Sequence, residues 1–469
     1  MNTRMKNDQF YARQPSLPAE HHRHACSRRQ FLRASSAIGI ASLSTPALLH
    51  GQNPNETLNV ACVGVGGMAG GAGVRHADTN PNVQVVALCD VDAKILGGQA
   101  AKHPRAKTFS DYRRMLDVMG NDIDAVTIGT PDHMHGPIAL AAMDVGKHVY
   151  CEKPLAHNIA EVRGMTRAAE RKGVVTQMGT QIHSYAQYRS AVAALRDGAI
   201  GKVSEAHLWI NASWAGPPEG RPRKTDPVPA HLNWDLWLGV APRRPFVNGL
   251  YLPYQWRRWK DFGGGTLGDM GCHLLDPIFS GLDIETVNSV RSTGPQNFEE
   301  TFAPRGRVEY EFAGSERTMG ALKLTWAERS APIEVARQHL PAGVGLPKQG
   351  SILIGEKGMM VIPHFDFARI YRDGEIVSGK VDGQPGEVHA HQWHNACRSE
   401  VKTSTPFSYA GPLTEAVLLG VIAGSFQGET LTWDSDAMRF TNSDDATVLV
   451  KRTYEPGREV DSQLKSKRS

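Results

Sequence analysis

The chain has 469 residues, and its 52 Lys and Arg against 48 Asp and Glu give a formal net charge of +4. Apolar residues at 41% and charged residues at 21% are ordinary for a globular protein. This composition excludes a disordered chain, a coiled coil and a polytopic membrane protein. The length predicts two or three domains with a large core.

The positive charge is concentrated at the N-terminus. Residues 1–50 carry a net charge of +5, whereas residues 51–469 carry a net charge of −1. Electrostatic binding of nucleic acid by the main body of the chain therefore loses its chief support, and we expect no nucleic-acid partner.

A twin-arginine pattern occupies residues 27–33, and an uncharged segment of moderate hydrophobicity follows from Ala34 to about Leu49. This segment is too short and too polar to span a membrane, because a spanning helix needs about 20 apolar residues. The pattern predicts an export signal over residues 1–50 and a periplasmic or otherwise exported protein. The alternative is an amphipathic or disordered tail.

Five cysteines follow this segment: Cys62, Cys89, Cys151, Cys272 and Cys397. An odd number at wide spacings is not a disulfide framework, and three of them lie in or next to predicted strands as small core residues. Folding in the reducing cytosol before twin-arginine export would explain free thiols in an exported protein.

A glycine-rich turn follows the first predicted strand, residues 58–63. The turn has a G-x-G-x-x-A pattern formed by Gly64, Gly66 and Ala69, with Gly67 and Met68 between them. A predicted helix begins at the end of this pattern. The first glycine permits a tight turn, the second lets the backbone approach a pyrophosphate, and the small third residue allows close packing of helix and strand. The pattern predicts a dinucleotide-binding loop.

The second predicted strand, residues 83–89, ends at Asp90, which lies 21 residues beyond Ala69. A carboxylate there would accept hydrogen bonds from an adenosine ribose diol and would repel a 2′-phosphate. Asp90 therefore favours NAD over NADP as the cofactor. The alternative is a solvated aspartate in a turn.

Strands and helices continue to alternate up to residue 151, with strands predicted at 107–109, 123–129 and 148–151 and helices at 111–118 and 133–145. This alternation predicts a doubly wound parallel sheet, which binds ligands at the carboxyl ends of its strands. We expect the residues at two such ends to contact the dinucleotide: Thr130, Pro131 and His135 after one strand, and Glu152 and Lys153 after another.

Lys153 is the first candidate for proton transfer. Oxidation of a secondary alcohol removes a hydride from carbon and a proton from oxygen, and the proton needs an acceptor near the nicotinamide. A lysine at a strand end can serve if burial and the cationic ring lower its pKa. The alternative is a surface lysine paired with Glu152.

Asp269 and His273 are four residues apart and so share one face of a helix. The histidine can relay or accept the alcohol proton while the carboxylate orients it. As an alternative, Thr266 and Asp269 have the spacing of a capping box, which would make Asp269 structural; both roles can hold at once.

An aromatic, basic segment at residues 254–260 precedes this helix. Trp256 and Arg257 are the candidate substrate contacts, because indole rings stack on sugar C–H surfaces and guanidinium groups bind hydroxyls. The alternative is a packed aromatic loop. Gln181 and His183, which follow a strand predicted at 174–178, are expected near the nicotinamide.

Three histidines, His389, His391 and His394, suggest a metal site. They lack a carboxylate at ligand spacing, and we predict no metal.

From about residue 180 the pattern changes to successive strands at 205–210, 307–312, 321–326, 351–355 and 359–362, with few helices. This pattern predicts an open, mainly antiparallel sheet. Residues 216–229, rich in Pro and Gly, form a predicted long loop over the site. Helices are predicted at 391–399 and 412–426, the second packing on the first domain.

Five motifs follow one another along the chain: the glycine turn, Asp90, the Thr130–His135 segment, the Cys151–Leu155 segment and the Gly263–His273 segment. Together they resemble the family of glucose–fructose oxidoreductase, inositol 2-dehydrogenase and MocA-type proteins. The resemblance spans roughly residues 55–455. It implies catalytic or substrate-binding roles for Lys153, Asp269 and His273, and a dimer or tetramer built on the open sheet. The N-terminal arm that retains the cofactor in glucose–fructose oxidoreductase is largely absent.

The expected protein is α/β, with an N-terminal Rossmann domain (residues 55–179), a C-terminal α+β domain (residues 180–455) and a tail (residues 456–469). Its expected function is NAD-dependent oxidation or reduction of a sugar, sugar derivative or polyol, with a cofactor that is held tightly and recycled. One alternative is an NAD-dependent glycosidase that oxidises the sugar transiently, although the His-Gly-Asn-Leu-Tyr-Pro-Thr-His-type element of such enzymes is missing. The other is a non-catalytic dinucleotide- or sugar-binding protein.

Overall fold

A computed structural model describes residues 57–399 and 401–454. The predicted export signal and the tail at residues 456–469 lie outside the described residues. Within the described residues, no helix combines the length and the apolar character needed to cross a membrane.

The first sheet is parallel and has six strands in the order β3-β2-β1-β4-β5-β6. The strands are β1 (Leu58–Val63), β2 (Val83–Cys89), β3 (Lys107–Phe109), β4 (Ala125–Ile128), β5 (His148–Cys151) and β6 (Thr176–Met178). The helices that connect them are α1 (Ala69–Asp78), α2 (Ala93–Ala100), α3 (Tyr112–Met119), α4 (His135–Asp144) and α5 (Ile159–Lys172). The prediction of a doubly wound parallel sheet is confirmed.

Several helix starts are set by side-chain caps. Asp92, Asp111 and Asn158 have extended backbones, and their side chains accept hydrogen bonds from N–H groups in the first turns of α2, α3 and α5. A capping side chain satisfies a backbone donor that the helix leaves unpaired. This is why α3 begins one residue after the predicted start at residue 111.

The packing of α1 on the sheet depends on a glycine that the sequence pattern did not single out. The prediction assigned close helix–strand packing to Ala69, but the tight approach occurs at Gly70. A Cβ on Gly70 would overlap the carbonyl oxygen of Gly64, and a Cβ on Gly129 would lie 2.5 Å from the Gly70 Cα. Two glycines thus let α1 meet the ends of β1 and β4 backbone against backbone.

The second sheet has ten strands in the order β14-β13-β12-β11-β7-β10-β9-β8-β15-β16. Its strands are β7 (Val203–Ile210), β8 (Val287–Ser292), β9 (Arg307–Phe312), β10 (Thr318–Glu328), β11 (Gln349–Gly355), β12 (Gly358–Pro363), β13 (Ala368–Arg372), β14 (Glu375–Val381), β15 (Thr430–Asp434) and β16 (Arg439–Phe440). All its neighbouring strands run antiparallel except β7 and β10. In β9, buried and exposed residues alternate strictly, as expected of a sheet with one solvated face.

The remaining helices are α6 (Ala186–Arg196), α7 (Trp234–Leu238), α8 (Gly265–Leu282), α9 (Ile333–Ala336), α10 (His389–Ala396), α11 (Phe407–Ala423) and α12 (Asp444–Val448). The last part of the chain returns to the first sheet. Trp393 of α10 is fully buried in a cluster with residues of β1 and β2, and Thr414 of α11 accepts a hydrogen bond from the Leu155 N–H. The expected packing of the apolar helix on the first domain is therefore observed.

All five cysteines beyond Cys26 are buried and free. Burial raises the pKa of the Cys62 and Cys272 thiols to about 12. The prediction of small core residues is confirmed for the three cysteines in or next to strands, and Cys272 and Cys397 are buried as well.

Gly70→Ala is expected to destabilise the chain by more than about 2 kcal/mol, because the new methyl group has no room against the Gly64 carbonyl. The matched control is Gly97→Ala in α2, where no atom lies within 4 Å of the added Cβ. That substitution should stabilise the chain by up to about 1 kcal/mol, since alanine is the better helix former. Urea unfolding measures both, and equal effects would contradict the tight packing at Gly70.

Candidate active site

The carboxyl ends of β1, β2, β4, β5 and β6 form the edge at which the sequence placed a dinucleotide. Gly64 and Gly67 there have positive φ angles of 73° and 63°. Asp90 binds this loop directly, because its carboxylate accepts hydrogen bonds of 2.9 Å from the N–H groups of Val65 and Asp92. Burial is the main cause that raises the Asp90 pKa.

The residues at this edge fit a dinucleotide. The side chain of the N-cap residue Met68 makes no capping hydrogen bond to α1, and the backbone N–H groups of such a helix start suit a phosphate. Met68, just before α1, is 40% exposed. The Thr130 hydroxyl is buried with no hydrogen-bond partner, and such an orphaned group is typical of a ligand site. The cofactor would be held by residues of the glycine loop and of two strand ends: Gly64, Gly66, Gly67, Met68, Asp90, Thr130 and Pro131.

Lys153, after β5, reaches across to the second domain. Its Nζ donates hydrogen bonds of 2.8 Å to the Asp269 carboxylate and 2.6 Å to the Asp269 carbonyl oxygen. The Lys153 side chain is only 6% exposed. The structure therefore contradicts the alternative of a surface lysine paired with Glu152 and places Lys153 and Asp269 in one buried ion pair.

Asp269 is held by two further donors. Arg257 Nε lies 3.0 Å from Oδ1, and Trp214 Nε1 lies 2.8 Å from Oδ2. Burial disfavours the charged form, but Arg257, Lys153 and these hydrogen bonds outweigh it, so the Asp269 pKa lies below its usual value. Asp269 is thus a fixed anion at neutral pH.

The capping-box interpretation of Asp269 is wrong. Helix α8 begins at Gly265, and no side chain caps it. Thr266 lies inside the first turn and accepts a hydrogen bond from the Trp214 N–H, 2.8 Å away. Asp269 instead points out of the helix toward Lys153.

His273 lies one turn beyond Asp269 on α8, as the spacing predicted. Its Nδ1 lies 3.2 Å from the Thr180 hydroxyl, and its ring centroid lies 5.5 Å from that of His364. Burial, followed by the charge of Lys153, holds the His273 pKa well below its usual value. The imidazole is therefore neutral at neutral pH and can accept a proton.

Two acids flank the ion pair, the buried Asp132 and the partly buried Glu152. Burial raises the pKa of Asp132 to about 7, although Arg257 and Lys153 lower it. Burial also raises the pKa of Glu152 to about 7 against the opposing effect of Lys153. Perturbed acids of this kind concentrate at functional sites.

Several predicted site residues have structural contacts. His135 is buried, and its ring nitrogens lie 2.7 Å from the Pro154 carbonyl oxygen and 2.9 Å from the Thr130 carbonyl oxygen. It bridges the ends of β4 and β5 and so positions the residues that line the site.

The bridging role of His135 differs from the direct cofactor contact expected from the sequence. Gln181 begins a short 3-10 helix after β6, and His183 in that helix pairs with Asp276 at 2.9 Å. Gln181 thus lies at the predicted strand end, whereas the His183 ring binds the Asp276 carboxylate.

Trp256 is part of a buried aromatic cluster with Trp234, Trp237 and Tyr251. The Arg257 guanidinium lies 4.2 Å above the Trp256 ring while its Nε binds Asp269. Trp256 is 8% exposed, so it belongs to a packed aromatic loop, as the alternative had it. Arg257 is the residue of this segment that contacts the Lys153–Asp269 ion pair.

The three candidate metal ligands have separate hydrogen-bond partners, and the partner of His394 is Asn80. His389 contacts Ser184 and the Met178 carbonyl oxygen, whereas His391 contacts Thr79. Across residues 57–399 and 401–454, no group of three His, Cys, Asp or Glu side chains could hold a metal ion.

Sequence reasoning missed three members of the site: Trp214, Thr180 and Asp132. Asp132 lies within the Thr130–His135 segment, so that motif could have identified it. No local pattern could have identified Trp214 and Thr180, because they lie 55 and 93 residues from their partners Asp269 and His273.

Family profiles match both domains. One described as "Oxidoreductase family, NAD-binding Rossmann fold" matches residues 58–180, and one described as "Oxidoreductase family, C-terminal alpha/beta domain" matches residues 203–320.

The chain is 26% identical over 248 residues to levoglucosan dehydrogenase of Pseudarthrobacter phenanthrenivorans, which covers 51% of this chain and 55% of that protein. It is 34% identical over 160 residues to a glycosyl hydrolase family 109 protein of Solibacter usitatus, covering 31% of this chain and 36% of that protein. The chain thus spans about half or less of the length of these relatives. The solved aldose-aldose oxidoreductase of Caulobacter crescentus has the same fold, with a TM-score of 0.57 at 16% identity over 81% of this chain and 100% of that one.

The raised pKa of Asp132 makes its contribution to stability depend on pH. The folded state keeps this carboxyl protonated up to about pH 7, whereas the unfolded chain loses the proton near pH 4. Stability therefore falls as pH rises through this window. Asp132→Asn removes the titration, so it should be about 2 kcal/mol more stabilising at pH 8 than at pH 5 in urea unfolding.

Asp122→Asn, at an exposed carboxylate, is the control and should show no such difference between the two pH values. An Asp132→Asn effect that is the same at both would mean that the carboxyl is solvated.

Proposed function

Because the chain belongs to the glucose–fructose oxidoreductase, inositol dehydrogenase and MocA family of oxidoreductases, we propose that it is an NAD-dependent enzyme that transfers hydride to or from a CH–OH carbon. The proposed substrate is a sugar, a sugar derivative or a polyol. The observation that carries the proposal is the convergence of Lys153, Asp269 and His273 at the edge of the NAD-binding sheet.

Bound NAD supplies the hydride acceptor or donor at its nicotinamide ring. Lys153 Nζ orients the reacting hydroxyl by a hydrogen bond, and its own position is fixed by the two bonds to Asp269. His273, whose Nδ1 contacts Thr180, exchanges the hydroxyl proton through Nε2. In the reverse direction the same groups return the proton.

Burial supports this chemistry. Asp269 stays ionised because three donors surround it, so the Lys153 ammonium keeps its orientation. Both side chains are at most 10% exposed, and electrostatic interactions between buried groups are stronger than in solvent. Arg257 and Trp214 act as positioning residues through Asp269.

Asp90 supports NAD rather than NADP. Its carboxylate is already turned toward the glycine loop by the Val65 N–H, and a 2′-phosphate at this strand end would face a negative charge. Comparing the affinities for NADH and NADPH tests the preference.

Export to the periplasm by the twin-arginine route is part of the proposal. The twin-arginine pattern at residues 27–33 supports it, and the free buried thiols agree with folding before export. Free NAD is expected to be scarce outside the cytoplasm, so a tightly held cofactor would be reduced by one substrate and reoxidised by another. Replacing Arg28 and Arg29 by Lys should leave the protein in the cytoplasm.

The direct experiment uses the exported full chain. Denaturation should release stoichiometric dinucleotide, and titration with a panel of sugars and polyols should change absorbance in the reduced-nicotinamide band. Protein that carries no dinucleotide would rule out the retained cofactor, and protein that also fails to bind added NADH would rule out the function.

A second candidate function is glycoside cleavage by transient oxidation, which the similarity to the glycosyl hydrolase family 109 protein favours. Cleavage of a glycoside with no net change in nicotinamide would identify it, whereas net redox change without cleavage identifies the oxidoreductase.

Lys153→Met is expected to lower kcat/KM by about 10²- to 10⁴-fold, since it removes the group that orients the reacting hydroxyl. Lys172→Met is a close control, because Lys172 Nζ likewise donates to the carbonyl and carboxylate of one residue, Asp144, but on the surface. The control should keep full activity. If Lys153→Met also keeps full kcat/KM, Lys153 does not orient the reacting hydroxyl. An unaltered chain that binds NADH but turns over no sugar or polyol would instead be a dinucleotide- or sugar-binding protein.

A further inference from the structure

A cavity of about 490 Å³ lies beyond the end of β2 and has walls from both domains. One wall belongs to the parallel sheet, and the other belongs to a segment that precedes α7 in the second domain. We call residues 228–234 of that segment the strap. The lining consists of Asp90, Val91, Ala93, Leu96 and Ser110 on the sheet side and Val228, Ala230, His231, Leu232, Asn233 and Trp234 on the strap side.

The strap is hydrogen-bonded to the turn between β2 and α2 at three points. The Ala93 N–H donates to the His231 carbonyl oxygen at 2.7 Å, and the Asn233 N–H donates to the Val91 carbonyl oxygen at 2.9 Å. The His231 Nδ1 lies 3.0 Å from the Asp92 carboxylate. These contacts pair the strap with the turn like a short antiparallel strand.

The far end of the strap is also fixed. Trp234 Nε1 donates to the Arg244 carbonyl oxygen at 2.8 Å, and the Trp234 ring stacks on Trp237 with centroids 4.7 Å apart. The Asn233 side chain caps α7 by accepting from the Leu236 N–H at 3.0 Å. The strap therefore forms one wall of the cavity as an ordered part of the second domain.

The chemistry of the cavity suits an adenosine group. Asp90 supplies acceptors for a ribose diol at the end of β2. Leu96 and Trp234 supply apolar surface for a flat base, and the volume lies in the range of pockets that enclose small ligands. The glycine loop, which would hold the pyrophosphate, is tied to the same Asp90.

We propose that the strap closes over the adenosine half of NAD and slows its release, so that the second domain retains the cofactor. The inference rests on the proposed function only in taking NAD as the ligand. Release then requires the hydrogen bonds between strap and turn to break first.

Ala93→Pro tests the strap at its backbone. Ala93 is the first residue of α2, where proline is tolerated because the helix does not use that N–H. Asp92 before it is extended, with φ −99° and ψ 107°, as a residue preceding proline prefers. The substitution therefore removes the donor to His231 while leaving α2 intact.

The measurement is the rate at which excess NAD⁺ displaces NADH from the loaded full chain, followed by NADH fluorescence in a stopped-flow instrument. Ala93→Pro and His231→Ala should each speed release about 5-fold, the effect of about one hydrogen bond. The double variant should speed release at least about 20-fold, because both contacts hold the same segment.

Asp444→Pro is the matched control. Asp444 is the exposed first residue of α12 and follows the extended Ser443, so the backbone change is equivalent but distant from the cavity. Its release rate should equal that of the unaltered chain. Release from the double variant within twofold of the unaltered chain, or equal acceleration in the control, would overturn the strap proposal alone. Failure of the unaltered chain to bind NADH would overturn the proposed function as well.

Discussion

The site depends on one carboxylate, Asp269, which joins groups from three other parts of the chain. Lys153 comes from the parallel sheet, Arg257 from the aromatic segment and Trp214 from the connection after β7. A buried carboxylate is costly unless charge and hydrogen bonds compensate it. Correct docking of the two domains is therefore a condition for Asp269 to be ionised, and its ionisation in turn fixes the position of Lys153.

The first domain could be predicted closely because its rules are local. A buried strand, a glycine turn and an acidic strand end occur within about 35 residues of one another. The alternation of strands with helices predicts that the strands run parallel. The prediction was wrong where steric contact with another part of the backbone sets the residue, as at Gly70, which takes the close-packing role predicted for Ala69. Gly70 directly follows the last residue of the fingerprint, Ala69, and its importance comes from the Gly64 carbonyl that it faces.

The candidate site was predictable only as far as motifs extend. Lys153, Asp269 and His273 were identified, but the capping box competed for Asp269 because Thr266 has the same spacing in either role. The structure rules out the capping box, because Trp214 donates hydrogen bonds to both side chains: its backbone N–H to Thr266 and its Nε1 to Asp269. No local pattern marks a tryptophan 55 residues away as the partner of a helix residue, and pairings over such distances come from tertiary packing.

The aromatic segment at residues 254–260 has a composition that suggests sugar binding but packs as a core. Trp256 beside Arg257 predicted stacking on a sugar, yet Trp256 packs with Trp234, Trp237, Trp259 and Phe262 in a buried cluster.

That cluster docks on the first domain through His133, whose ring lies 5.1 Å from that of Phe262 and whose Nε2 lies 3.1 Å from the Trp237 carbonyl oxygen. Large aromatic side chains bury more area than any others, so they can hold a long connection with little regular structure against the sheet edge. The strap extends from one side of this cluster and Arg257 from the other. A single apolar anchor thus sets the position of the second domain both at the predicted adenosine end and at the ion pair, which is why weakening it would disturb both ends together.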